Sequence, residues 1–306
     1  MNYKDDKEDD KEDEKYIVYK NDLKYKTNRE LDEKKIIWSS PEVEMMYYNV
    51  DLDTIKYRID ECIEEKYITL DLKHLNLNKL PVLPNKIIKS VKYLFLGDNN
   101  FSNFPDLTEW TNLEMIELNH NKIKEINYLP NSLIELCIKD NLLENIQFNK
   151  NCKIERLDIR QNKLNNIIIP PSIKILDVAQ NNLHICIHNL PNIEKILCGN
   201  NNIKQIINCP LLKYLDCRSN PIINIDNCNM IEHLVCSNTL LDKIPNCPNI
   251  KTIECFYTKI YELPYYEHLY ELLCENNQIK KISSKYIISS ADTYKEKLLH
   301  INFKVN

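Results

Sequence analysis

The stretch Leu212-Lys213-Tyr214-Leu215-Asp216-Cys217-Arg218-Ser219-Asn220-Pro221-Ile222-Ile223-Asn224-Ile225 decides the fold of this 306-residue chain. Apolar residues stand at 212, 215, 217, 222 and 225, with an asparagine at 220. The frame returns 19 residues later as Ile231, Leu234, Cys236, Thr239, Leu241 and Ile244. It returns again as Ile250, Ile253, Cys255, Thr258, Ile260 and Leu263, then as Leu269, Leu272, Cys274, Asn277, Ile279 and Ile282. Going the other way it reads Ile193, Ile196, Cys198, Asn201, Ile203 and Ile206. Earlier copies carry their asparagine at Asn181, Asn162, Asn141, Asn121 and Asn99, with Cys186 in the last apolar slot of the copy that starts at Ile173. A degenerate first copy runs from Tyr67 and has Leu75 in the asparagine slot. Eleven copies result, and their spacing tightens from 24 residues at the start to 19 at the end.

The apolar-x-apolar pair alternates with period two, so it predicts a short strand with both residues facing one way. A single copy cannot bury its own apolar face, and each must lean on its neighbours. Stacked strands predict one parallel sheet, about 4.8 Å per step and roughly 50 Å in all. The asparagine follows the strand, where the chain turns inward. Its amide offers two donors and an acceptor to backbone groups left without strand partners. Threonine at 239 and 258 supplies only part of that, so loosening or a bound water is expected there. After strand and turn about eight residues remain, too few for an ordinary helix. An extended or 3₁₀-like convex side is expected, and eleven prolines fall on it.

This frame resembles the leucine-rich repeat over more than two thirds of the chain. The short form, with Leu80-Pro81-Val82-Leu83-Pro84, is similar to the repeats of bacterial secreted effectors. The cysteine-bearing form, as in Leu215-Asp216-Cys217-Arg218-Ser219-Asn220, resembles repeat proteins of giant DNA viruses of amoebae. The resemblance implies a solenoid of the α/β horseshoe class with helical caps, acting as a viral or host-interaction protein. Several such bacterial effectors carry a ubiquitin-ligase domain after their repeats; 24 residues follow Ile282 here, so that activity is not expected of this chain.

Outside the repeats the chain divides simply. Residues 1–15 hold eight acids and four lysines, a solvated tail by composition that leaves the remainder at a net charge of only −1. Residues 16–66 are read as an N-terminal adjunct ending in a capping helix over 51–66. There Ile55, Ile59, Cys62 and Ile63 form one stripe and Asp53 is the expected N-cap. The repeats span 67–284, and 285–306 is read as a C-terminal capping helix.

Two glycines rule out a glycine-rich phosphate loop. A net charge of −5 argues against nucleic acid as the partner. No run of 18 apolar residues suggests a membrane span, and the acidic start is no secretory signal, so a cytoplasmic setting with reduced thiols is expected. Cys198, Cys217, Cys236, Cys255 and Cys274 repeat at 19, as do Cys209, Cys228 and Cys247. Such linear rows lack the convergence of a metal site, and they read as small apolar residues in leucine slots. His184 and His188 sit on a return segment, and no nucleophile–histidine–acid set appears, so neither catalysis nor a cofactor is expected.

What remains is binding. Side chains that alternate with the buried pair face the concave side. One column, which includes Phe95, Glu117, Asp158, Asp177, Asp216 and Glu254, is acidic at six of its eleven positions. Tyr93, Arg156 and Tyr214 stand on one side of it, Arg160, Arg218, Phe256 and Tyr257 on the other. Cross-strand salt bridging, as between Asp158 and Arg156 or Arg160, accounts for many of the charges. Exposed aromatics with arginine are the usual anchors of protein interfaces. Tyr214, Arg218, Phe256 and Tyr257 are expected to dominate a contact with a protein partner, in a non-enzymatic interaction scaffold. In the alternative, residues 1–50 carry the contact and the repeats are a spacer. No motif names the partner or an oligomeric state.

Overall fold

The computed structural model describes residues 52–274 and 279–283. It opens on a helix, α1, Leu52–Glu64, with Ile55, Ile59 and Cys62 buried against the first coil. Asp53 lies inside the first turn rather than at the N-cap, and its charge there still complements the positive helix end. The helix stops because Lys66 and Tyr67 turn left-handed, at φ 60 and 64, and the Tyr67 N–H closes onto the Cys62 carbonyl at 2.8 Å.

Eleven three-residue strands follow, one per repeat: Thr69–Asp71 (β1), Tyr93–Phe95 (β2), Met115–Glu117 (β3), Glu135–Cys137 (β4), Arg156–Asp158 (β5), Ile175–Asp177 (β6), Lys195–Leu197 (β7), Tyr214–Asp216 (β8), His233–Val235 (β9), Thr252–Glu254 (β10) and Glu271–Leu273 (β11). They form a single parallel sheet in chain order. The register is the repeat itself: equivalent slots of successive copies align, as in Ile196↔Leu215 and Leu215↔Leu234. The middle residue of every strand is buried, and the frame residues behind it form one continuous core from Ile55 to Cys274.

The asparagines do what their chemistry requires. Asn141 Nδ2 donates to the Leu118 carbonyl of the coil before (3.0 Å) and to Lys139 O of its own coil (3.2 Å), while its Oδ1 accepts the Ile123 N–H (3.0 Å). Asn99, Asn121, Asn162, Asn181, Asn201 and Asn220 repeat this bridge between successive coils. Asn277 lies outside the described residues. Thr239 keeps only the bond within its own coil, to Cys236 O at 2.7 Å, because a hydroxyl has a single hydrogen to donate. The sheet does not loosen there: β9 pairs with β10 in unbroken register, and Thr239 and Thr258 are buried.

The residue before each ladder position is left-handed, with φ between 52 and 58 from Asp98 through His120, Asp140, Gln161, Gln180, Asn200, Ser219 and Asn238 to Tyr257. Polar residues that tolerate this region occupy each of these described rungs except that of Tyr257.

The convex side is extended, as expected, with one departure. The longest repeat accommodates a six-residue helix, α2, Asn85–Ser90, with Ile87 and Ile88 buried. On seven other coils the extended return path goes further and pairs into short parallel strands: Glu125–Ile126 with Asn145–Ile146, Cys186–His188 with Gln205–Ile207 and Asn224–Asp226, and Glu262–Leu263 with Lys281–Ile282. Equal coil length stacks equal positions, so these segments find backbone partners that an isolated turn lacks. In the coil from Ile173, one extra residue shifts this register. Ile187 fills the buried slot and Cys186 is exposed. The C-terminal helix expected over 285–306, the adjunct over 16–50 and the acidic tail lie outside the described residues.

Candidate functional site on the concave sheet

The outward residues of the eleven strands make one wall. Its acids turn out to have a structural duty. At the end of each strand one backbone N–H points away from the ladder and needs an acceptor. Asp71 accepts the N–H of Lys73, Glu117 that of Asn119, Asp158 that of Arg160, Asp177 that of Ala179 and Asp216 that of Arg218, over 2.8 to 3.3 Å. Two coils use a side chain of the preceding coil instead: Asn119 Oδ1 accepts from Lys139 N where Cys137 takes the acid's place, and Ser237 Oγ accepts from Phe256 N although Glu254 is present. Burial pushes the carboxyls of Glu117, Asp158 and Asp177 above the usual carboxylate range, against these same N–H bonds, which pull them down.

The remaining charge is largely spent inside the wall. Arg160 sits between Asp158 (3.5 Å) and Asp177 (3.2 Å). Arg156 pairs with Glu135 at 3.6 Å rather than with Asp158. Arg218 forks onto both oxygens of Asp216, at 2.9 and 2.7 Å, and lies over Gly199, where a Cβ would stand 3.1 Å from its Cγ. Gly97 makes room in the same way for Glu117, whose carboxylate would be 2.6 Å from a Cβ there. Glu254 accepts the Ser237 hydroxyl at 3.2 Å.

Set among these paired charges are two groups of aromatic and aliphatic surface. Tyr93 is exposed, Phe95 is half-buried with the Lys73 ammonium 5.1 Å from its ring, and Met115 stands beside Tyr93 in register. Further along, Tyr214 lies between Lys195, 4.8 Å above its ring, and His233, whose ring centre is 6.1 Å away. Ile175 continues the same row beyond Lys195, and Leu197 and Val235 stand on either side of Asp216 in the next row. Phe256 is half-buried in the turn, two residues past the end of β10. Tyr257 is not on the sheet: it occupies the left-handed turn at φ 52 and is 61% exposed. The wall therefore brings together most of the anticipated residues, with Tyr257 on its rim.

One row escaped the sequence reading. Beside the wall, the first residue of each strand approach alternates in sign, as Glu155, Lys174, Glu194, Lys213, Glu232 and Lys251, and adjacent rungs pair at 2.8, 3.5 and 2.6 Å. Its signal was available as an acid–base alternation at the repeat period.

None of the twelve cysteines is in a disulfide, and nine are buried. Burial raises the Cys137 thiol to about 12 and the Cys62 thiol to about 11, and it pushes Cys198, Cys217 and Cys236 up as well. Among the described residues no group of three or more His, Cys, Asp and Glu is placed to hold a metal ion, and no helix is long and apolar enough to cross a membrane.

A single parallel sheet, one strand per frame copy and an asparagine bridge at most turns settle the architecture. The chain folds as a leucine-rich repeat solenoid. No family model matches it. Among solved structures, the leucine-rich repeat effector YopM of Yersinia pestis is similar over 76% of this chain and 73% of its own, with TM-score 0.65 and 20% identity. The leucine-rich repeat domain of APL1B is similar over 75% and 76%, with TM-score 0.61 and 15% identity. Human Toll-like receptor 2 is 26% identical over 188 residues, 55% of this chain. The leucine-rich repeat chain spans about a quarter of that receptor's length.

Proposed function

We propose that this leucine-rich repeat protein is a non-enzymatic scaffold that holds a protein partner on its concave wall. Solenoids of this kind generally present their concave surface for binding. The observation that carries the reading is the pairing of charges around Tyr93 and Tyr214. Acids and arginines on the wall are already satisfied within it, so a partner need not supply compensating charge. Aromatic rings remain as the groups whose burial yields net affinity. This revises the ranking drawn from sequence alone. Tyr93, Tyr214 and Phe256 are the anchors; Arg218 and Asp216 orient the surface; Asp158, Arg160, Asp177, Glu117 and Glu254 support it.

Capture from the native cell with wild-type protein, followed by affinity measurement against the recovered partner, tests this. Tyr93→Ala with Tyr214→Ala is expected to weaken binding by about tenfold or more, with an unchanged melting point. Retained affinity in that variant, together with loss on deleting residues 1–50, would establish the N-terminal region as the contact and the repeats as its spacer.

A further inference from the structure

Past the asparagine turn the chain continues extended for several residues. The ladder residue and the one two places on are buried, as with Thr239 and Leu241, so their neighbours alternate outward onto a flank. Backbone bonds from coil to coil set the rows of this flank side by side. The Ile223 N–H bonds to Lys204 O, Leu240 N–H to Ile222 O, Lys259 N–H to Leu241 O and Lys280 N–H to Tyr261 O, all over 2.9 to 3.0 Å. One row therefore reads Lys204, Ile223, Asp242, Tyr261 and Lys280, and the row beside it Asn202, Pro221, Leu240 and Lys259.

Two chemistries meet there. Ile223, Leu240 and Tyr261, each about half exposed, make an apolar strip across three coils. Two steps at the strand spacing give it a length of about 10 Å. Around it lie five exposed lysines, Lys204, Lys243, Lys259, Lys280 and Lys281, against three exposed acids, Asp226, Asp242 and Glu262. The strip therefore sits in a net positive rim. None of the five lysines is in an ion pair among the described residues, whereas Lys174, Lys213 and Lys251, on the other side of the sheet, are each matched to a glutamate.

The surface calls for an extended apolar segment with acid beside it, and the chain carries one. Residues 4–15 hold eight acids and four lysines, a net charge of −4, and Tyr16-Ile17-Val18-Tyr19 follows at once, uncharged and rich in strand-forming residues. Four extended residues cover about 13 Å, enough for the strip. Residues 20–51 separate Tyr19 from α1. They supply up to about 105 Å of chain, and eight coil steps from the first copy to the ninth cover about 38 Å, so the segment reaches. Tethering holds it at a local concentration on the order of millimolar, which a separate acidic chain would have to exceed.

We propose that residues 4–19 dock on the chain's own flank, with Tyr16–Tyr19 along Ile223, Leu240 and Tyr261 and the acidic run beside Lys243, Lys259 and their lysine neighbours. Docking there leaves the concave wall open.

Carbodiimide coupling of carboxylates to lysines tests it, on the full chain at about 5 µM, too dilute for a weak dimer. Light and heavy isotopic chains are mixed, and the links are read by peptide mass spectrometry. Links within one chain from the acids of residues 5–14 to Lys204, Lys243, Lys259 and Lys280 are expected to exceed, by about tenfold, those to Lys124 and Lys163. Those two lysines are exposed on the same flank of earlier coils and serve as the control. Ile223→Glu with Leu240→Asn is expected to abolish the excess while melting as wild type does, since Glu144 and Asn202 already occupy these two rows. An excess that survives in the double variant, an even spread over exposed lysines, or coupling to no solenoid lysine would overturn the proposal. So would links found only between light and heavy chains, which would make the contact one between copies. Links gathered on Lys139 and Lys195 would overturn it too, by placing the segment on the concave wall.

Discussion

At the scale of single residues, the amide of one asparagine decides whether two coils stay joined. Asn141→Leu keeps volume and removes bonds to Leu118 O, Lys139 O and Ile123 N. Each buried orphan costs about 1–3 kcal/mol, so the expected loss in urea unfolding is several kcal/mol; a shift within error would contradict the ladder's role. Thr239→Asn runs the other way. It restores a donor toward the coil before and is expected to add about 1 kcal/mol. Tyr257→Asn puts at φ 52 a residue that tolerates it and is expected to raise stability by about 1 kcal/mol, since Tyr257 is too exposed to lose much packing.

At the scale of elements, the strand frame was legible because a buried position repeating eleven times leaves no competing period. The capping helix was legible from the stripe Ile55, Ile59 and Cys62. What could not be read was where spare backbone groups go. The wall's acids looked like surface charge for a partner because sequence shows a carboxylate but not the N–H it must accept. Tyr257 was placed on the wall because the residue before the asparagine shares the strand's spacing, while its left-handed turn rotates it to the rim. The flank strands were missed because two- and three-residue segments acquire partners only through stacking. The alternating row beside the wall carries its own test. Glu232→Lys would set three lysines, at 213, 232 and 251, on consecutive rungs and break the pair with Lys251. A cost of about 0.5–1 kcal/mol at low salt is expected, shrinking as salt is raised. A cost that salt leaves unchanged would point to packing rather than charge.

At the scale of the whole molecule, the core is one stack with a column of thiols through its later half. Folding holds Cys198, Cys217 and Cys236 in the neutral form by raising their ionisation, chiefly through burial. The unfolded chain ionises them near pH 8.5 and the folded chain does not, so above that pH the unfolded state binds fewer protons. Stability is therefore fully present below about pH 8.5 and falls above it, by up to about 1.4 kcal/mol per pH unit for each such thiol. Urea midpoints measured from pH 7 to 10 should drop steeply in wild type and far less when the three become valine. Equal slopes would show that the column does not govern alkaline stability.

The concave wall as a protein-docking surface is the central claim, and hydroxyl-radical footprinting of the captured complex tests it most directly. Tyr93, Met115 and Tyr214 are expected to lose reactivity when the partner binds, while Tyr128 on the far side keeps its own. Protection confined to Tyr128 and its convex neighbours, with Tyr93 and Tyr214 as reactive as in the free chain, would contradict it.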